Sequence, residues 1–172
     1  GGALSFLELL EQQPYTPLLP LGTTGTLDKA KWVVIAYLRR SCEVEGTQYP
    51  WEEYLLFNQQ RGFTWLMCSN NHWSWLQPLS AGEVQLGFRG LTYNKQPYRE
   101  YQRVYARTDY VIGECYWAVK VGELAKASEF VAPPLSVNFD ETETEVSVTR
   151  GALLSSEEIQ KAFSLKQKPP EP

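Results

Sequence analysis

The sequence predicts a mostly β domain: an antiparallel, partly closed barrel or two-sheet sandwich with a short helix near each end. Three observations carry this. Short runs rich in β-branched and aromatic residues recur along the chain, separated by turn chemistry, in the spacing of a strand meander. Apolar runs of helical period occur only near the two ends. The length, 172 residues, suits about one domain, large enough to bury a core without disulfides or metals.

The elements follow in order. Leu4 to Gln13 reads as a helix: Ser5 and Glu8 form a capping box, Leu4 and Leu9 a hydrophobic staple. Pro14, Pro17 and Pro20 then keep the chain extended. Gly22 to Gly25 is a turn. Trp32 to Arg40 is a strand apolar on both faces, hence central or sandwiched. Trp51 to Phe57, Phe63 to Cys68 and Trp73 to Leu76 are further strands, with turns at Asn58–Gly62 and at Ser69-Asn70-Asn71. Residues 80–98 show no period and read as a long loop. Tyr101 to Arg107 and Tyr110 to Val121 read as two strands joined by a short turn. Leu135 to Phe139 and Glu143 to Thr149 suggest a hairpin with one wet face. Leu154 to Phe163 is the second helix, with Ser155 and Glu158 as its capping box. The expected organisation is an N-terminal helix and extended segment over 1–20, one β-rich domain over 21–165, and a disordered Pro-rich tail over 166–172.

Composition narrows the function. Net charge is −4, and the longest basic cluster is the pair Arg39-Arg40. A nucleic-acid binder needs a basic footprint, so nucleic acid is not an expected partner. No stretch approaches the roughly 18 apolar residues of a spanning helix, so membrane insertion is not expected. The 3 cysteines, Cys42, Cys68 and Cys115, make no C-x-x-C pair or secreted framework. With no leader segment, this points to the cytoplasm. The opening Gly1-Gly2 reads as a cloning remnant, and the chain as a piece of a longer protein.

Two segments carry a resemblance. P-W-E-E-Y-L-L (50–56), G-F-T-W-L (62–66) and H-W (72–73) form its first half. I-G-E-C-Y-W-A-V (112–119), V-G-E (121–123), A-P-P (132–134) and A-F (162–163) form its second. Over residues of about 20 to 164 the chain resembles the bacterial domain-of-unknown-function family 4178. Cys115 stands where that pattern has Phe, and Val148 where an aromatic is common. The resemblance implies a bacterial β domain, set near membrane-associated stress proteins and polyamine-synthesis-like enzymes. It implies no activity, substrate or catalytic residue.

The residues point away from an enzyme. Nucleophilic catalysis needs a base beside the nucleophile, and the 1 His, His72, follows Cys68 across a tight turn. A turn histidine beside a buried thiol is the simpler assignment. One His and scattered cysteines give no zinc pattern. Asp140, Glu141, Glu143 and Glu145 read as a solvated hairpin edge rather than a cation site. No cofactor is expected.

The candidate binding residues are Trp51, Glu52, Glu53, Tyr54, Glu114, Tyr116 and Trp117, with His72, Trp73 and Trp75. Glu52 and Glu53 must point to opposite faces of their strand. A carboxylate in an apolar strand needs a partner, and Arg39, Arg40, Arg103 and Arg107 are the available ones. Together, the carboxylates and rings could cage a cation such as a polyamine. Ordinary core packing is the simpler assignment. Trp73 and Trp75 share a face, which is a contact patch if exposed and packing if buried. The leading function is a non-enzymatic interaction module whose partner is another protein, in a membrane-associated stress assembly. The alternatives are a binder of a cationic metabolite, or an enzyme subunit using Glu52 or Glu114 as acid or base.

Overall fold

A computed structural model describes residues 15–114 and 119–172. The expected helix at Leu4–Gln13 lies outside the described residues. The elements are β1 (Thr24–Leu27), β2 (Ala30–Val44), β3 (Thr47–Asn58), β4 (Gly62–Ser69), β5 (His72–Leu79), β6 (Val84–Gly87), β7 (Gly90–Tyr93), β8 (Gln96–Gly113), β9 (Leu124–Ala132), β10 (Leu135–Glu141), β11 (Val146–Leu154) and α1 (Ser156–Ala162). Every pairing is antiparallel.

The ring β2-β3-β4-β5-β11-β10-β9-β8 closes on itself because β8 also pairs with β2. The result is a closed barrel of 8 strands with β1, β6 and β7 added outside the ring, which selects the barrel over the sandwich. Tight turns set the register. Asp28-Lys29, Asn70-Asn71 and Asn94-Lys95 each place both turn residues at positive φ, the twist that a two-residue hairpin needs.

Several sequence expectations change. The two strands expected across Thr108-Asp109 are one strand, β8, whose register against β2 slips there, so a bulge replaces the turn. Residues 80–98 are not a loop. They hold a single helical turn at Ala81–Glu83, the β6–β7 hairpin and the start of β8. Strands of 4 residues are too short to show a period. β9 had no strand signal, because Leu-Ala-Lys-Ala-Ser-Glu has weak β propensity; it forms because ladders flank it on both sides. β11 begins at Val146 and runs to Leu154 rather than spanning Glu143–Thr149. Gly25 lies within β1, where its lack of a side chain admits the Phe163 ring. The capping box at α1 forms as expected: Ser155 Oγ accepts from the Glu158 N–H at 3.1 Å, and Glu158 Oε2 accepts from the Ser155 N–H at 2.9 Å. Residues 166–172, read as a disordered tail, lie against this helix, with Pro169 buried and Ser156 Oγ donating to the Pro170 carbonyl at 3.3 Å.

Side-chain alternation along β8 separates the inside of the barrel from the outside. In mid-strand Arg103, Tyr105 and Arg107 are exposed, while Ala106 and Thr108 are buried. The first set faces outward and the second inward. Two covers close parts of the outer face. Leu19, Ile159 and Phe163 pack over Trp32, Val34, Tyr37, Tyr54 and Leu56. Leu91 of β7 packs with Tyr98, Phe130, Val137 and Val148. Ala36, Leu38 and Leu55 form an inward cluster. Among the described residues no helix is long and apolar enough to cross a membrane.

Candidate functional site

The Trp51–Tyr54 run lies in β3, in register with β2: Arg40 opposite Trp51, Arg39 opposite Glu52, Leu38 opposite Glu53 and Tyr37 opposite Tyr54. Strand alternation divides the run between the two sides of the barrel wall. Trp51 and Glu53 face inward, and Glu52 and Tyr54 face outward.

Inside, Arg40 Nη1 meets Glu53 Oε2 at 3.1 Å and Asp140 Oδ2 at 2.7 Å. Trp51 Nε1 donates to the same Glu53 oxygen at 2.7 Å, and the guanidinium lies 5.9 Å from the Trp51 ring. β2 and β10 are separated by β8 and β9, about 14 Å of sheet at roughly 4.8 Å per strand. Arg40 therefore spans the barrel interior. Burial alone would favour the neutral form of Arg40, but the Glu53 and Asp140 carboxylates outweigh it and hold the guanidinium charged. Glu129 also faces inward. Burial raises its pKa, partly offset by a 3.2 Å hydrogen bond from Gln102.

Outside, Arg39 Nη1 pairs with Glu52 Oε1 at 3.3 Å. Tyr54 donates its hydroxyl to Glu52 Oε2 at 3.1 Å and accepts from the Leu18 N–H at 3.2 Å. The Arg39 guanidinium lies 4.2 Å from the Tyr15 ring centroid. Tyr54 stacks on Trp73 with centroids 5.9 Å apart and tilts against Tyr37 at 5.2 Å. Burial pushes the Tyr37 phenol up to about 12 and raises Tyr54 as well.

The structure thus places Glu52 and Glu53 against the arginines Arg39 and Arg40. Among the described residues it parts two of the expected rings, Trp51 and Tyr54, which lie on opposite sides of the wall. Glu114 is exposed, and its backbone N–H bonds the Ile35 carbonyl at 2.8 Å. Tyr116 and Trp117 lie outside the described residues. Trp73 is buried, and Trp75 is half-buried with its Nε1 donating to Thr64 Oγ1 at 2.9 Å. Their shared face is packing.

His72 is exposed and in register with Ser69, whereas Cys68 is opposite Trp73. Thiol and imidazole therefore point to opposite sides. Burial and the nearby Glu52 push the Cys68 thiol up to about 11, away from a reactive thiolate. Among the described residues no group of three His, Cys, Asp or Glu could hold a metal. Two depressions on the surface, of about 420 and 300 Å³, are lined by residues such as His72, Leu153 and Glu157, and Trp32, Phe57 and Gln59.

What the sequence reading did not single out is the uncovered middle of β8, with the first residue of β9 and the turn before it. Tyr101 is 60% exposed, Tyr105 69%, Leu124 59% and Val121 66%. Arg107 is in register with Leu124, and Tyr105 with Lys126. Among the described residues Arg103 and Arg107 pair locally, with Glu100 at 2.7 Å and Asp109 at 2.7 Å. The period-two run Tyr101-x-Arg103-x-Tyr105-x-Arg107 was the available signal.

Fold and surface together define a small closed β-barrel with an Arg40–Glu53–Asp140 network inside and an exposed aromatic-basic strip on β8. The family model for a domain of unknown function, DUF4178, matches residues 20–156, and the chain belongs to that family. No curated protein matches it, and no solved structure matches it.

Proposed function

We propose that this domain is a non-enzymatic interaction module that binds a partner protein through the middle of β8 and the adjoining start of β9. The observation that carries this is the exposed row of Tyr101, Tyr105, Leu124 and Val121 between the two covered ends of the barrel. Exposed tyrosines flanked by arginines supply large contact area with a polar tip, the composition of protein interfaces. The paired state of Glu52 and Glu53 supports the same reading, since neither carboxylate is left for acid–base work or for a cation.

The test is capture of a partner by the tagged domain from its native cells, followed by substitution. Tyr105→Ser and Leu124→Ser should abolish capture and change stability by only about 0.5 kcal/mol. Val146→Ser, at a 60% exposed position away from the strip, should leave capture intact. If all three variants capture the partner equally, the strip is not the interface.

A second reading is a binder of a cationic small molecule. Glu129 favours it: this carboxylate is largely desolvated and has only Gln102 as a hydrogen-bond partner among the described residues. A thermal-shift series with spermidine, repeated on Glu129→Gln, separates the two. A rise in midpoint lost in the variant would favour the small molecule.

A further inference from the structure

The barrel closes through β2 and β8 over only part of their length, and beyond that ladder β8 has an open strand edge. On one side β8 pairs with β9 from Arg99 to Arg107, with a bulge at Tyr101 and an unbroken register from Gln102 onward. On its other side β7 covers only Gly90–Tyr93 against Gln96–Arg99, and β2 covers only from Arg107 onward. The Glu100 N–H still bonds the Arg89 carbonyl at 3.1 Å. Between Glu100 and Arg107 no strand among the described residues pairs with that edge.

The direction of the free groups follows from the ladder. Thr108 turns both backbone groups toward the β9 side: its N–H donates to the Glu123 carbonyl at 3.0 Å, and its carbonyl accepts from Gly122 at 2.7 Å. Antiparallel strands alternate, so Ala106, Val104 and Gln102 also point toward β9. The N–H and C=O of Arg103 and Tyr105 therefore point into the gap.

We propose that the partner engages this edge by adding an extended peptide segment as a strand beside β8. This rests on the interaction-module reading and specifies how the partner binds. Unpaired edges are templates for strand addition. The gap admits roughly five residues at about 3.4 Å each. Its flanks set the chemistry of the occupant. On the outer side Arg103, Arg107 and Lys126 surround Tyr105, and the exposed pairs of Arg103 and Arg107 with Glu100 and Asp109 exchange at little cost. On the inner side Val104 lies next to the gap, as do Cys42 and Val44 just beyond the last β2–β8 pair. The segment that fits alternates acidic residues, facing the arginines, with apolar residues facing Val104.

The probe is a dye-labelled, end-capped peptide of alternating glutamate and valine, about five residues long, read by fluorescence anisotropy. It should bind. A lysine–valine analogue should bind more weakly. An analogue N-methylated at alternate amides should lose about tenfold or more. Tyr105→Pro should lose a similar factor relative to Tyr105→Ala, because the two differ in an N–H aimed only at the gap, and proline is tolerated on a strand edge. Equal binding of the N-methylated peptide, equal binding by Tyr105→Pro and Tyr105→Ala, or no binding at millimolar peptide overturns strand addition. Should Tyr105→Ser and Leu124→Ser still release the captured partner in that event, the exposed strip remains the interface without it. Concentration-dependent dimerisation that Tyr105→Pro abolishes would overturn the assigned occupant in favour of a second copy.

Discussion

Replacing Arg40 by methionine keeps most of the side-chain volume and removes the charge. It leaves Glu53, only 8% exposed, as a buried carboxylate whose remaining side-chain partner is the Trp51 N–H. Breaking a buried ion pair by removing one member costs about 3–5 kcal/mol. The second partner, Asp140, has a side chain 35% exposed, so water takes over much of its share. At about 2–4 °C per kcal/mol for a domain of this size, the midpoint should fall by roughly 6–20 °C. Arg40→Met/Glu53→Gln should recover much of the loss, because a neutral amide tolerates the site better than an unpaired charge. The assay is urea and thermal unfolding of the wild type, both single variants and the double variant. A loss below about 1 kcal/mol, the size of a surface pair, would refute the argument that this arginine braces the barrel across its interior.

Three other outcomes follow from the same reasoning. Burial raises the folded pKa of Glu129 above its ordinary value of 4.5. The folded state therefore binds more protons, and stability falls as pH rises through that interval. Glu129→Gln should be more stable than wild type at pH 7, with the advantage vanishing below pH 4.5 in a pH series of melts. Gly25→Ala would drive a methyl group into the Phe163 ring and should cost about 1–3 kcal/mol by denaturant unfolding. Tyr37, held protonated to about 12, should titrate late by absorbance at alkaline pH. The unfolded phenol ionises near 10, so stability should decline from that pH upward.

The sequence was most informative where local chemistry decides the structure. The Ser155–Glu158 capping box and the Asn70-Asn71 turn each depend on residues close together in the chain, and each formed as read. The opposite facing of Glu52 and Glu53 follows from strand geometry alone. Their partners, Arg39 and Arg40, were among four candidates, and only register could choose between them. β9 was illegible because its Ala-Lys-Ala-Ser composition is overridden by the ladders on either side. Trp51 and Tyr54, two of the rings expected in one cage, are parted for a different reason. Residues three apart in a strand face opposite sides of the barrel wall, so closeness in sequence did not bring these rings together. The Tyr-Arg row of β8 was visible as a period-two pattern. Which face stayed uncovered depended on where β7 and α1 pack.

The most direct test is residue-resolved amide hydrogen exchange of the domain, alone and with its captured partner. The account predicts an alternating pattern along β8 in the free domain. The N–H groups of Arg103 and Tyr105 should exchange fast, while those of Gln102, Val104 and Ala106, bonded to β9, should be protected. The partner should then slow Arg103 and Tyr105 selectively. Uniform protection of Gln102 through Ala106 in the free domain, or fast exchange at Arg103 and Tyr105 that the partner leaves unchanged, would contradict it.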